Sequence, residues 1–590
     1  MKKYRFSPSS SKKSKFTIGF LDENPYLEFH NQKMAGIFDA ARKYDANIIR
    51  FTDYTDRNSI SNYHFATQAK MVLDHIEQYP LDGLIFIGWT KAVLDNFEDF
   101  MRRFAKIPVI SLGKVFEGIP NVHFPGGKYI RELLLHLMRI HHLKRIAYIA
   151  PIRPDDRNQI YIDTMKEFGV FDPDLLVQIP EDEYNTLIGR ARRAIAILLD
   201  ERKVELEALI SVYDEETTEL LKELKYRGIN VPQDLVVTSY EDGEIGKYSS
   251  PALTTVYYPW YDLGFYGCER MIQLLTQGRI PLYTEVFGQV IYRNSCGCMS
   301  NTVHSAGSYD IKTSVGLLNT MTINQRKAII QEMTAMFPNA KLDFDTLLEA
   351  LLHDYKLRAD KYFLAELALQ LKNYPYGFRN MNIENLISIF RRCLLPFLIH
   401  QEETVLWAGD IFQQAQVLVW ETVTGIDGQA KKNVKTSNQA LRDISQILVA
   451  DFSIGNLMEV LAGSLPKLQI PSCYMFMFNS VFRFDDYLPE PLFEDCVLVF
   501  QFSNSTLLHS GENKQVNAKE FFAEILATNK DFQGFLAQLL HVGDYFMGFV
   551  LYEPGPMDEK IYQALSDHIS TTLRGAILLK KLEFSYQRLA

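Results

Sequence analysis

From Phe16 onward, short apolar runs alternate with longer amphipathic ones, a pattern that predicts strand and helix units around a parallel sheet. The segments "FTIGFL" (16–21), "NIIRF" (47–51), "GLIFIG" (83–88), "IPVISL" (107–112) and "RIAYIA" (145–150) read as strands, with helices such as "NQKMAGIFDAARKY" and "GGKYIRELLLHLMRIHHL" between them. A second series follows, with "DLLVQIP", "ALISVY" and "DLVVTSY" as strands and "IGRARRAIAILLDERK" and "EETTELLKELKYRGI" as helices. Two successive open α/β halves are expected. Ligands of such sheets bind beyond the carboxyl ends of the strands, here in a cleft between the halves.

The pattern then changes. After a linker of small and polar residues (299–314), apolar positions recur at three- and four-residue spacing in "INQRKAIIQEMTAMF", "FDTLLEALLHDY" and "IENLISIFRRCLLPFLIH", which predicts a helical connector over 315–437. Its His400, Trp407, Phe412 and Trp420 read as core or helix-face residues. From 438, two helices lead into the strands "SCYMFMFN", "DCVLVFQFS" and "HVGDYFMGFVLYEPG", followed by a long terminal helix. That helix carries Ile561, Leu565, Ile569, Leu573 and Ile577 at four-residue steps, extended by Leu578, Leu582 and Leu589. The first half of the stripe suits packing on its own sheet, and the remainder points to a partner helix in a homodimer.

Composition changes the picture in a few places. A chain of 590 residues needs several cores, and 47% hydrophobic residues can build them. The net charge of -10 argues against a surface that tracks nucleic acid throughout. One local exception is the basic start, residues 1–15, with Lys2, Lys3, Arg5, Lys12, Lys13 and Lys15. It reads as a disordered tail, with a phosphate-binding arm as the alternative. It lacks the apolar core of a signal peptide, and no window is apolar enough to span a membrane, so a cytoplasmic protein with its six cysteines reduced is expected. Phosphate-loop, nucleophile-elbow, zinc-helix and cyclase signatures are absent, so no catalytic residue and no enzyme activity are expected. Cys296 and Cys298 stand one residue apart with no second Cys or His pair near them in the chain, so neither a metal nor a cofactor is expected.

The residues at the predicted strand ends are polar or aromatic. They are Asp22, Asn24, Tyr26, Trp89, Arg157, Tyr213, Asp214, Glu241 and Asp242, joined by Trp260 in "YYPWYDLG". Carboxylates and an Arg that hold hydroxyl pairs, beside rings that cover apolar faces, suit a polyhydroxylated ligand such as a sugar. Singly, several have structural readings: Asp214 could start a helix and Asp242 could make a turn.

The stretch "GINVPQDLVVTSYEDGEIGKYSSPALTTVYYPWYDLG" (228–264) resembles the end of the ligand domain in LacI/GalR-type (lactose- and galactose-repressor) regulators, where Gly-Ile-x-Val-Pro, Phe-Asp-Asp, Pro-x-Leu-Thr-Thr and Pro-x-x-x-Leu-Gly follow in that order. "ENPYLEFHNQKMAGIFDAA", "HLMRIHHLKRIAYI", Arg157 with Tyr161, and "VIYRNSCGC" extend the resemblance over 16–298. It implies a two-lobed periplasmic-binding-protein-like (type I) fold of open parallel sheets and an effector, sugar or nucleobase-like, contacted by Asn24, Arg157, Tyr213 or Asp214, and Glu241. Glu241 stands for the usual Asp, Ile160 for Gly and Tyr213 for Asn, so the pocket is reshaped. The family's helix-turn-helix has no room in the fifteen residues before Phe16, so direct operator binding is not expected. "LPKLQIPSCYMFMF" and "GFVLYEPGPMDEKIYQALSDHISTTLRGAILL" resemble a small α+β GAF-like domain, which places residues 438–590 as a relay that binds nothing itself.

The expected function is cytoplasmic small-molecule sensing in signal transduction or transcription regulation, the ligand closing the cleft and shifting a helical dimer toward a separate output protein. A regulator that contacts DNA through the basic tail or a partner is the alternative, and a sugar-acting enzyme the second.

Overall fold

The computed structural model describes residues 3–5, 15–23, 29–53, 71–94, 97–152, 155–180, 183–184, 186–307, 316–337, 342–372, 383–399, 401–450, 453–483, 496–528, 534–543, 545–555 and 558–589. They fall into two compact units, Met1–Val290 with Ser437–Ala590, and Ile291–Thr436.

The first unit begins with β1 (Lys3–Arg5), which pairs antiparallel with Arg279–Pro281, so these three residues are strand where the composition predicted a disordered tail. Next come β2 (Phe16–Glu23), β3 (Ala46–Asp53), β4 (Gly83–Ile87), β5 (Val109–Leu112) and β6 (Asn121–His123), a parallel sheet in the order β6-β5-β4-β2-β3. Strands β4 and β5 are buried throughout and read as unbroken apolar runs, as parallel strands covered on both faces must. The second lobe is also parallel, with β7 (Ile146–Ile149), β8 (Leu176–Val177), β9 (Ala208–Ile210) and β10 (Val236–Thr238) in the order β10-β9-β7-β8. The chain then returns through β11 (Thr255–Tyr257), β12 (Arg279–Pro281) and β13 (Tyr283–Glu285), the last parallel to β6, and leaves along β14 (Gln289–Ile291), which neighbours β11. Two lobes of open parallel sheet are thus present, as the alternation predicted.

The carboxyl-terminal strands depart from that reading. They are β15 (Cys473–Arg483), β16 (Cys496–Ser503), β17 (Thr506–Val516), β18 (Gly534–Val542) and β19 (Tyr545–Tyr552), paired antiparallel among themselves. β18 also pairs parallel with β3, Gly534 opposite Ile48 through Ala537 opposite Phe51. A separate small sheet was expected; instead the first lobe and these strands form one eleven-stranded sheet. The pairing removes two exposed sheet edges at once. Gly534 permits it, because a Cβ there would stand 2.2 Å from the Ile48 carbonyl oxygen. A shared core of Leu21, Phe51, Phe86, Phe476, Phe522 and Phe549 seals the joint. The terminal helix Glu559–Leu589 buries Ile561, Leu565, Ile569 and Leu573 and exposes Leu578, Leu579 and Leu582.

The second unit is helical, with Ile323–Met336, Phe344–Leu357, Tyr362–Lys372 and Leu386–Leu398 packed around Phe363, Phe390 and Phe412. Local chemistry starts two of them: Thr322 and Gln325 form a reciprocal capping box, and Asp343 accepts from the amides of Asp345 and Thr346. The predicted linker carries the short helix Asn301–Ala306. Glu402–Ala450 is one helix of 49 residues where the pattern predicted two. Trp407 donates Nε1–H to the Ala359 carbonyl and Phe412 is buried, whereas Trp420 is largely exposed; His400 lies outside the described residues.

Candidate functional site

The strand ends of the two lobes meet through a ladder of rings. Trp89, just after β4, stands edge-on to Trp260 at 6.0 Å between centroids. Trp260 stacks on Tyr258 at 3.9 Å, Tyr258 meets Phe124 at 4.6 Å, and Tyr240, just after β10, lies 6.5 Å from Tyr258. The Arg157 guanidinium caps the far end, 4.8 Å from the Tyr240 ring centroid. Trp89 belongs to the first lobe and Tyr240 and Arg157 to the second, so the ladder crosses from one lobe to the other.

Arg157 sits in the first turn of the helix Asp156–Glu167 and is gripped by Asp155, Nε donating to Oδ1 at 3.0 Å and Oδ2 at 2.9 Å, and Nη2 to Oδ2 at 2.6 Å. Burial opposes its charge, yet the Asp155 carboxylate more than offsets this and holds the guanidinium protonated well above its ordinary range. Close by are three polar side chains that sequence reasoning missed. The Tyr240 and Tyr148 hydroxyls and both polar atoms of the Asn158 side chain are buried and have no hydrogen-bond partner. Burial, against the pull of Arg157, raises the pKa of both tyrosines and keeps them neutral donors. Asn158 follows Arg157 directly, and Tyr240 precedes Glu241, so the signal was adjacency to residues already singled out.

Glu241 and Asp242 have φ of 123° and 60°, conformations that side chains rarely adopt. The Glu241 N–H donates to the Val256 carbonyl at 2.9 Å and its carbonyl accepts from Tyr258 N–H at 3.4 Å, so the β10 exit and the ladder strand share one backbone network. Strain of this kind collects at ligand-facing turns. Tyr213 accepts from the Ile152 amide at 3.3 Å and presents its ring to Arg190, 5.8 Å away.

Two expected contact residues have structural work instead. Asp22 is fully buried and accepts from Lys33 and from Arg50, Nη2 to Oδ2 at 3.1 Å, so its charge is compensated inside the first lobe. Asp214 is also buried and accepts from the Ser239 hydroxyl and, at 2.6 Å, from the Gly243 amide, which pins the β10 exit loop to the start of its own helix. Asn24 and Tyr26 lie outside the described residues.

The expectation of no metal also needs revision, since the chain brings His136 and His141 beside Cys296 and Cys298, all four ligand atoms within 4.8 Å of one another.

Comparison with known proteins agrees with this geometry. A model of the periplasmic binding protein-like domain matches residues 136–296. Residues 136–296 form a ligand-binding domain of the LacI/GalR family. Catabolite control protein A of Staphylococcus xylosus is 22% identical over 289 residues, covering 47% of this chain and 82% of that protein. The HTH-type transcriptional regulator MalR of Clostridium butyricum is 21% identical over 270 residues, 42% of this chain and 75% of that protein. The crystal structure of transcription regulator CcpA of Lactococcus lactis covers 48% of this chain and 99% of that one at 21% identity, with a TM-score of 0.41. The relatives of the LacI/GalR-type domain are transcriptional regulators. Among the described residues no helix is long and apolar enough to cross a membrane.

Proposed function

We propose that the chain senses a small polyhydroxylated molecule, a sugar being the best fit, in the cleft of its LacI/GalR-type domain and converts occupancy into a change in transcription. One observation carries this reading: beside the charged Arg157, the Tyr240 and Tyr148 hydroxyls and the Asn158 carboxamide are buried without partners, under a ladder of aromatic rings. Buried polar groups are nearly always satisfied, and a ligand rich in hydroxyls would satisfy these while its apolar faces lie on Trp89 and Trp260. Glu241, Asp242 and Tyr213 complete the proposed contact set, with Asn24 and Tyr26 closing the rim.

The carboxyl-terminal sheet acts as a GAF-like relay, and the exposed Leu578, Leu579 and Leu582 on the terminal helix offer a stripe to a second copy. Output then passes to DNA through a separate partner protein. A thermal-shift screen of the full chain against sugars and nucleosides tests the reading, since a ligand that binds only the folded state raises Tm. A shift that Arg157→Ala abolishes is expected. No shift with any compound, or a shift indifferent to Arg157→Ala, would sink it.

A further inference from the structure

The geometry points to a structural zinc site, a Cys2His2 set made by His136, His141, Cys296 and Cys298 within the ligand-binding domain. His136 lies near the end of the helix Gly126–Arg139, and His141 follows in the turn after it. Their Nε2 atoms are 3.1 Å apart and their rings stand edge to face, with centroids 4.8 Å apart. Cys296 is buried at the end of the short turn Asn294–Cys296. Gly297 follows at φ 88°, a left-handed position where a side chain would be strained, and it reverses the chain so that Cys298 stands on the same side. The family match runs from residue 136 to residue 296, so the helix end and the cysteine turn bound one and the same domain. β14 leads straight into that turn.

The four donor atoms lie within 4.8 Å of one another. A zinc ion with Zn–S of about 2.3 Å and Zn–N of about 2.0 Å places its tetrahedral ligands about 3.3–3.8 Å apart, so the set needs only to tighten around the ion. The donors are also of the right kind. Two thiolates balance the charge of Zn²⁺, two neutral imidazoles complete the tetrahedron, and no position stays open for water, which is the arrangement of a fold-stabilising site and not a catalytic one. As the ion binds, each thiol releases its proton to solvent and each imidazole offers a nitrogen lone pair, with no change of oxidation state. All six cysteines are free, and the Cys296 thiol donates to the Arg293 carbonyl at 3.4 Å, which fits a reduced pair and not a disulfide. The ion fastens the last turn of the ligand-binding domain to the end of its helix Gly126–Arg139.

The full chain, purified under reducing conditions, stripped with a chelator and reloaded with Co²⁺, tests this. One ion per chain, with the visible absorption of tetrahedral thiolate-bound cobalt and displacement by Zn²⁺, is expected. Cys298→Ser and His141→Asn lose that spectrum, whereas Cys393→Ser keeps it. Because a variant could fold poorly, alkylation of the wild type followed by mass spectrometry gives a second readout: Cys296 and Cys298 are protected with zinc and labelled after chelation. Binding well below one ion per chain, an octahedral cobalt spectrum, equal labelling with and without zinc, or a spectrum unchanged in both variants overturns the site.

Discussion

The two lobes of the ligand-binding domain solve the same problem differently. Each buries a charged cluster beneath its sheet. In the first lobe Asp22 answers Lys33 and Arg50, and in the second Glu216 answers Arg190 at 2.6 Å and accepts from Ser211 at 2.6 Å, while Arg190 also donates to the Ala150 carbonyl. Their edges differ. The first lobe's sheet runs on from β3 into β18 and becomes eleven strands, whereas the second stops at four. The lesson is mechanical: the first lobe is joined to the relay by backbone hydrogen bonds, and the second is the lobe left to move when a ligand closes the cleft.

The largest expected effect comes from breaking either cluster. Asp22→Ala leaves two buried cations unpaired and Glu216→Ala leaves one, each costing about 3–5 kcal/mol in urea unfolding. The comparison sharpens in hydrogen exchange: Asp22→Ala exposes amides of β18 and β19 together with the first lobe, while Glu216→Ala leaves them protected. Equal loss at β18 in both variants would show that the edge joint does not define a cooperative unit. A smaller change, Gly534→Val, drives a side chain against the Ile48 carbonyl and costs roughly 1–3 kcal/mol, uncoupling β18 from β3 without touching the cleft.

Acid should act at the same joint. His75 lies against Phe51 and Phe549 and pairs with the Tyr79 hydroxyl at 2.7 Å, and burial lowers its pKa to about 3 from an ordinary 6.5. Below pH 6.5 the unfolded chain takes up this proton and the folded chain does not, so stability falls as pH drops from about 6.5 toward 3. His75→Phe should flatten that part of the pH profile, and an unchanged slope would remove His75 as its cause. The smallest effect is expected from Tyr240→Phe, which deletes a buried hydroxyl that has no partner. The ligand-free protein keeps its stability or gains up to about 1 kcal/mol, while effector affinity drops.

Much of this was legible in the chain. The alternation of apolar runs and helices gave both lobes, and the strand-end rule led to Arg157, Trp89 and Glu241, because parallel sheets present their carboxyl ends to ligands whatever the ligand is. Asp22 was misplaced because a carboxylate near a strand end reads alike whether it faces a cleft or a core. Lys33 and Arg50, which settle the matter, lie on other elements. The β3–β18 pairing left no local trace, since any apolar edge strand could accept it. His136 and His141 stand far upstream of Cys296 and Cys298, and only the fold brings them into reach.

The account stands or falls on the cleft. Calorimetric titration of the full chain with the sugar that gives the largest thermal shift tests it most directly. One equivalent should bind the wild type, with affinity weakened at least about tenfold in Arg157→Ala, as expected when a charged hydrogen bond worth about 1.5–3 kcal/mol is lost. Binding of equal strength in Arg157→Ala would contradict it and place the ligand elsewhere.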